Sequence, residues 1–313
     1  MNSERNSFFS NPISVALIAC FCCALWGSAT PFIKIGSPLM IPDDKIASTM
    51  LFAGIRFFLA GCMVILYSCI TCRRFVAPKI KNIRKITWVA MFQTVIQYVF
   101  FYIGVANTTA VKATLGSGCG SFSAILVTTL IFRSEKLTLK KLLACLIGFL
   151  GILLVHFDGL DFTMNFLGDG FVLLATIAYG VSASLIKRYS DLESPVVISG
   201  YQFLIGGLIM TAIGILFGGT VIFSDFISWY ILLYLALLSA VAYSLWGILL
   251  KYNPLSKVAV YGFMIPVFGV ILSQLILTEN SSLPVWRLYV ALVLVSFGIY
   301  WLNYEPKQKK RLF

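Results

Sequence analysis

Charge is what this chain has least of. Of its 313 residues 12% are charged, one is a histidine and 59% are apolar, giving a mean hydropathy of +0.93. A soluble domain spends about a quarter of its residues on charge, so a soluble enzyme or soluble binding domain is excluded. The eight cysteines (Cys20, Cys22, Cys23, Cys62, Cys69, Cys72, Cys119 and Cys145) lie inside apolar runs or at their ends, with no second pair and no histidine at zinc spacing. Neither a disulfide framework nor a metal site is indicated. The chain also lacks HExxH, Walker A, GxSxG and an aspartate-rich diphosphate motif; no catalytic residue and no cofactor is expected. None of its twelve acids falls in the middle third of an apolar run. That removes the device in which one membrane-buried carboxylate holds either a proton or a cationic drug, and makes cationic dyes poor substrates.

What is there is apolar sequence in lengths of about 20 residues, the length that crosses a bilayer. Ten spans are expected, beginning near Ile13, Ile46, Thr87, Thr109, Leu139, Gly168, Pro195, Ile227, Ser256 and Trp286. The first is too long for a signal peptide and has no small-x-small cleavage site after it, so it is expected to be retained. The fold class is therefore an all-α integral membrane protein. The net charge of +12 sits in the short gaps between spans, which makes it topogenic and argues against nucleic acid as a partner. Most of the 24 cations fall on one side if the N-terminus is inside: Arg73 to Lys85, Arg133 to Lys141, Lys187, Arg188, Lys251, Lys257 and Lys307 to Arg311. Both termini are expected to be cytoplasmic, in a multi-pass plasma (cytoplasmic) membrane protein.

The two halves of the chain echo each other. Trp26-Gly27 is followed by Lys34 eight residues after the Trp, and Tyr179-Gly180 by Lys187 eight after the Tyr; Phe122 precedes Glu135 by 13, as Pro266 precedes Glu279. Five spans per half is an odd number, so the expected repeats, 1–156 and 157–313, insert with opposite orientation. The order and spacing of Trp26-Gly27-x6-Lys34, its copy at Tyr179, Phe132 to Thr138, and Pro266 to Glu279 resemble the drug/metabolite transporter superfamily, specifically its ten-helix EamA-type exporters. Two features depart from that pattern: Phe122 stands where proline is common, and α-helical span 4 carries Gly116-x-Gly118-x-Gly120.

The resemblance implies a secondary transporter that exports a small metabolite, an amino acid or a related zwitterion or organic anion, by alternating access through a cavity between the halves. Two alternatives stay open: a sugar-phosphate or nucleotide-sugar exchanger, and a non-transporting membrane subunit or lipid-acting membrane enzyme. Arg56 is the most informative residue. It lies about ten positions into its span, roughly 15 Å deep, where a cation must face the bundle interior, a watery cavity or an anion; it is a candidate anchor for a carboxylate, or a structural cation bonded to backbone carbonyls. Aromatic walls are expected from Trp26, Tyr98, Tyr102, Tyr179, Tyr243, Trp246 and Tyr261, which join a flat apolar face to a hydrogen-bonding tip. Gln97 and Ser182 add uncharged polar groups. Pro31 and Pro266, inside spans, are candidate hinges, Lys34 and Lys112 lie close enough to span ends to snorkel, and Gly116/Gly120 and Gly214/Gly218 have the spacing of helix packing motifs. Expected partners are the small-molecule substrate and membrane lipid, in a monomer or weak homodimer.

Overall fold

In a computed structural model, residues 7–43, 45–157, 163–277 and 285–304 are described. The sequence features at Arg5, Asp44, Asp158, Asp161, Glu279 and Lys307 to Arg311 lie outside them. Every regular element among the described residues is helical. Ten long helices run in chain order: α1 (Pro12–Met40), α2 (Ile46–Cys72), α3 (Ile80–Ala106), α4 (Ala110–Ile131), α5 (Leu139–Val155), α6 (Phe166–Tyr189), α7 (Pro195–Leu216), α8 (Phe226–Tyr252), α9 (Leu255–Leu277) and α10 (Val285–Asn303). Nine are apolar over at least 18 residues. The tenth, α5, has 17, about 25 Å at 1.5 Å per residue and still within the range of a membrane crossing.

The sequence places the start of the third span near Thr87, and the helix begins a full two turns earlier. Its first turns carry Lys81, Arg84 and Lys85 and hide only Asn82 and Ile86, an amphipathic stretch invisible to a hydropathy window. Glu193, from the α6–α7 connection, accepts the Lys79 backbone N–H and the Asn82 side-chain amide, both at 2.8 Å; the first satisfies one of the N–H groups that a helix start leaves without a partner.

Helix pairing reveals the duplication. α2 packs on α7 and α5 on α10; α1 packs on α8 and α9, as α6 packs on α3 and α4; α2 meets α8, as α7 meets α3. Exchanging each helix with the one five places along leaves this set of pairs unchanged. With five crossings per half, the two repeats are inverted. The α2–α7 seam runs along Gly54 and Gly61 on one helix and Gly200, Gly207 and Gly214 on the other, at intervals of seven. A Cβ at Gly61 would lie 2.7 Å from Leu204 N, and one at Gly214 2.6 Å from Leu51 Cα, so backbone meets backbone. The seven-residue interval is that of a left-handed crossing of about 20°. Gly218 is not part of this seam: it has φ +74° and no neighbour, and it ends α7 in the left-handed turn that glycine tolerates best. The expected Gly214/Gly218 packing pair is therefore corrected to a packing glycine and a cap.

The connections α2–α3, α4–α5, α6–α7 and α8–α9 share one end of the bundle, which holds fourteen of the described cations against four at the other. At this basic end the chain is sealed. Between Leu255 and Met264 all of α9 except Lys257 and Gly262 is buried, and so are Ala183, Leu185 and Ile186 on α6 and Leu249 and Leu250 on α8. Toward the opposite end the seal is lost. Gln97 to Ile103 of α3 are seven consecutive residues of intermediate exposure, and beyond Met264 only Val267 and Gly269 of α9 are buried. Seven residues go twice around a helix, so this stretch of α3 is packed less closely all round than the basic half.

Candidate functional site

At the middle of the bundle α4 and α9 are both irregular. α4 is interrupted at Cys119, between Gly118 and Gly120, and α9 tightens into a 3-10 turn over Val260–Phe263. The offset of 144 that relates Phe122 to Pro266 carries Cys119 onto Phe263, so the two breaks are one feature of the repeat. The broken helices meet there, Ser121 Oγ donating to the Ala259 carbonyl at 2.8 Å. Both segments keep right-handed helical backbone, with the Cys119 N–H still bonded to the Gly116 and Ser117 carbonyls, so the helices tighten here and do not unwind.

Around this crossing the Trp-Gly motif and its copy do the same work twice. A Cβ at Gly27 would lie 2.7 Å from Phe268 Cβ on α9, and one at Gly180 2.8 Å from the Ser123 carbonyl on α4. The glycines bring α1 and α6 against the broken helices, and the preceding Trp26 and Tyr179 are thereby placed at the centre. Tyr179 lies over Gly120, its ring 3.6 Å from where a Cβ would be.

Six aromatic side chains from five helices then form one continuous set. Trp26 meets Tyr243 and Trp246 edge-on, each at 5.1 Å between centroids. Tyr243 meets Phe203 at 5.0 Å, Phe203 stacks on Phe57 at 5.2 Å, and Phe57 meets Tyr98 at 4.6 Å. The Tyr98 and Tyr243 hydroxyls close the circuit with a hydrogen bond of 3.0 Å. Tyr102 adjoins Tyr98 one turn further out at 5.8 Å.

Arg56 sits at this level, 5% exposed, its guanidinium carbon 4.4 Å above the Phe57 ring. No hydrogen bond or ion pair is formed by Arg56 among the described residues, and its Nε is fully enclosed without a partner. The indole N–H of Trp26, the Gln97 Oε1 and the Ser244 Oγ are likewise buried and unpartnered. Buried polar atoms are almost always satisfied, and these four, from α1, α2, α3 and α8, lie inside the bundle.

The structure thus gathers Trp26, Arg56, Tyr98, Tyr102, Tyr243 and Trp246, with Tyr179 beside them. Tyr261 is in the tightened turn of α9, where its carbonyl accepts from Cys23 Sγ at 3.2 Å; it backs the α1–α9 contact and has no ring contact with the set. Ser182 is fully buried and donates to the Tyr179 carbonyl of its own helix at 2.8 Å. Pro31 is buried in α1, where Pro38 follows it, and Pro266 is half-buried in α9. Sequence reasoning missed Phe57, Phe203, Ser244 and Ser121. Phe57 adjoins Arg56, and that adjacency was the available signal; Phe203 and Ser244 look like any other residue of an apolar run. Lys112 donates to the Thr163 carbonyl and lies 4.0 Å from Asp169, and so ties down the α5–α6 connection at the end of the bundle.

A multi-pass membrane bundle of two inverted five-helix repeats is the build of many membrane transporters. The profile of the EamA-like transporter family matches residues 13–157 and again residues 166–304, and the chain belongs to that family. It is 28% identical over 304 residues to an uncharacterized transporter of Synechocystis sp., with 90% of each chain covered. To the uncharacterized transporter YvbV of Bacillus subtilis it is 23% identical over 306 residues, covering 94% of this chain and 93% of the other. A solved crystal structure superposes with a TM-score of 0.75 over 93% of this chain and 96% of that one, at 16% identity, a likeness of fold. This is a membrane transporter.

Proposed function

We propose that the transported solute is a small organic molecule carrying a carboxylate, an amino acid or a related zwitterion or organic anion, which is exported by alternating access. The observation that carries this is Arg56, a buried cation with no hydrogen bond or ion pair, set in an aromatic surround at the depth where the broken helices cross. A carboxylate accepts two parallel N–H bonds from a guanidinium, while the faces of Trp26, Tyr98, Tyr102, Tyr243 and Trp246 enclose an apolar or planar remainder. In this scheme the units that rock are the halves 1–156 and 157–313, with Pro31 and Pro266 as bending points in the two helices joined at Gly27, and the basic end faces the cytoplasm.

The test is counterflow in proteoliposomes preloaded in turn with neutral and aromatic amino acids, organic acids, sugar phosphates and a cationic dye. Counterflow of a carboxylate solute is expected, falling at least a hundredfold in Arg56→Gln and less in Arg56→Lys, which keeps the charge but loses the fork. Counterflow of phosphates alone, or an Arg56→Gln protein that folds and transports normally, rejects the proposal.

A further inference from the structure

We infer that this protein is an exchanger of organic monoanions: it changes over between its two faces when loaded, and the empty carrier is held back by its own unpaired charge. The inference rests on Arg56 as the anchor of the solute. Arg56 is the one cation among the described residues buried at the centre of the bundle, and no hydrogen bond or ion pair offsets it. The described acids, Asp43, Glu135, Asp169, Asp191, Glu193 and Asp225, all stand at or beyond helix ends, and the other acids of the sequence fall in connections and tails. The empty site therefore carries one uncompensated positive charge.

In the conformation described the basic half is the more closely packed one, and Arg56 keeps an exposure of 5%. Changing face requires both halves to close on the site at some moment, and that closure strips the water away. An isolated ion is expensive to dehydrate; one paired through good hydrogen bonds is far less so. A bound monoanion makes the occluded site neutral and supplies acceptors for the Arg56 and Trp26 donors. A dianion leaves an excess negative charge. A zwitterion brings a second cation, for which the centre offers only ring faces, phenol oxygens and the Gln97 Oε1. With no carboxylate in the spans to carry a proton in place of the solute, return of the carrier needs another anion, and transport is one for one.

The empty protein tests this without a known solute. In protein whose native cysteines are replaced by serine or alanine, Ala183→Cys places a thiol in the sealed half, where Ala183 is 2% exposed. Its reaction with a charged maleimide in lipid nanodiscs reports opening of the basic end. Slow labelling is expected with Arg56 and with Arg56→Lys, and labelling at least tenfold faster with Arg56→Gln. Arg56→Met, a second uncharged side chain, guards against a misfolded Arg56→Gln; each variant is compared only where its gel-filtration profile matches the parent, and Arg56→Met is expected to label as fast as Arg56→Gln. Equal rates in the parent, Arg56→Gln and Arg56→Met overturn the inference. Its failure is separable from that of the proposed function: a silent counterflow panel rejects the solute class, whereas counterflow of neutral amino acids without organic anions, or equal labelling rates in a protein with intact counterflow, rejects the monoanion exchanger alone.

Discussion

Glu135 shows how much one residue of a short motif can hold. It lies in the α4–α5 connection, 2.8 Å from Lys141 Nζ, and accepts from the Ser256 hydroxyl at 2.5 Å and the Ser256 backbone N–H at 3.3 Å. It therefore caps α9, a helix of the other half, at its N-terminus, where a carboxylate is favoured by the helix dipole. Burial pushes its carboxyl up, but the bonds from Lys141 and Ser256 outweigh burial and hold it below the ordinary carboxylate range. A carboxyl depressed on folding stabilises fully above its unfolded value of about 4.3 and loses that contribution as pH falls through the folded value. The difference in thermal stability between the protein and Glu135→Gln in detergent is thus expected to be level from pH 8 to about pH 5 and to shrink below about pH 4.3. Glu135→Gln is also expected to lower stability at pH 7 by about 1–3 kcal/mol, the range for a lost charged hydrogen bond. Melting curves across pH decide it; profiles that superpose for the two proteins would leave the clasp without energetic weight. The residue was legible in the sequence only as a position 13 after Phe122. What it touches is 121 positions away, and no local pattern encodes that distance.

At the scale of the helix, glycines separate two kinds of demand. At Gly207 a Cβ would lie 2.8 Å from Phe58 Cα, against α2 backbone that no side-chain rotation can relieve. Gly207→Ala is expected to destabilise by about 1–3 kcal/mol through overpacking and to shift the protein toward aggregate on gel filtration. Gly218 has open space around it, and its positive φ is the only constraint; Gly218→Asn is expected to change stability by a few tenths of a kcal/mol, because Asn adopts that backbone conformation readily. Equal effects from the two would mean the α2–α7 seam is looser than its geometry. The same contrast explains what sequence could and could not yield. The spans were legible because each helix must satisfy its own backbone and turn apolar side chains to lipid, and the repeat because Gly27 and Gly180 meet the same need at two addresses. The breaks at Cys119 and Val260–Phe263 were not: glycines in α4 read as packing motifs, and α9 shows its irregularity only through the carbonyl that Ser121 occupies. Of the site, Arg56 and its tyrosines and tryptophans stood out by residue type, whereas the phenylalanines linking them had no such mark.

For the molecule as a whole, the end-to-end charge difference is a statement about orientation. Ten crossings bring every second connection to the same end, and the described residues put Arg73, Arg74, Lys79, Lys81, Arg84 and Lys85 in the α2–α3 connection and the first turns of α3 alone. The other end holds Lys34, Lys45, Lys112 and Arg287, with Lys45 3.1 Å from Asp43 and Lys112 4.0 Å from Asp169. Translocating Lys and Arg in short loops is what insertion resists, and an inverted chain would have to carry the richer set across. The basic end is therefore expected on the cytoplasmic side. Thr220, in the α7–α8 connection, and Lys81, on the exposed face of α3, test this in intact cells, with the accessible native cysteines replaced. Thr220→Cys is expected to react with a membrane-impermeant maleimide from outside, and Lys81→Cys only after permeabilisation. The reverse pattern would turn the molecule over and make the less closely packed half face the cytoplasm; reaction of both without permeabilisation would mean a chain inserted both ways, which inverted repeats permit when the charge difference is too small to choose between them.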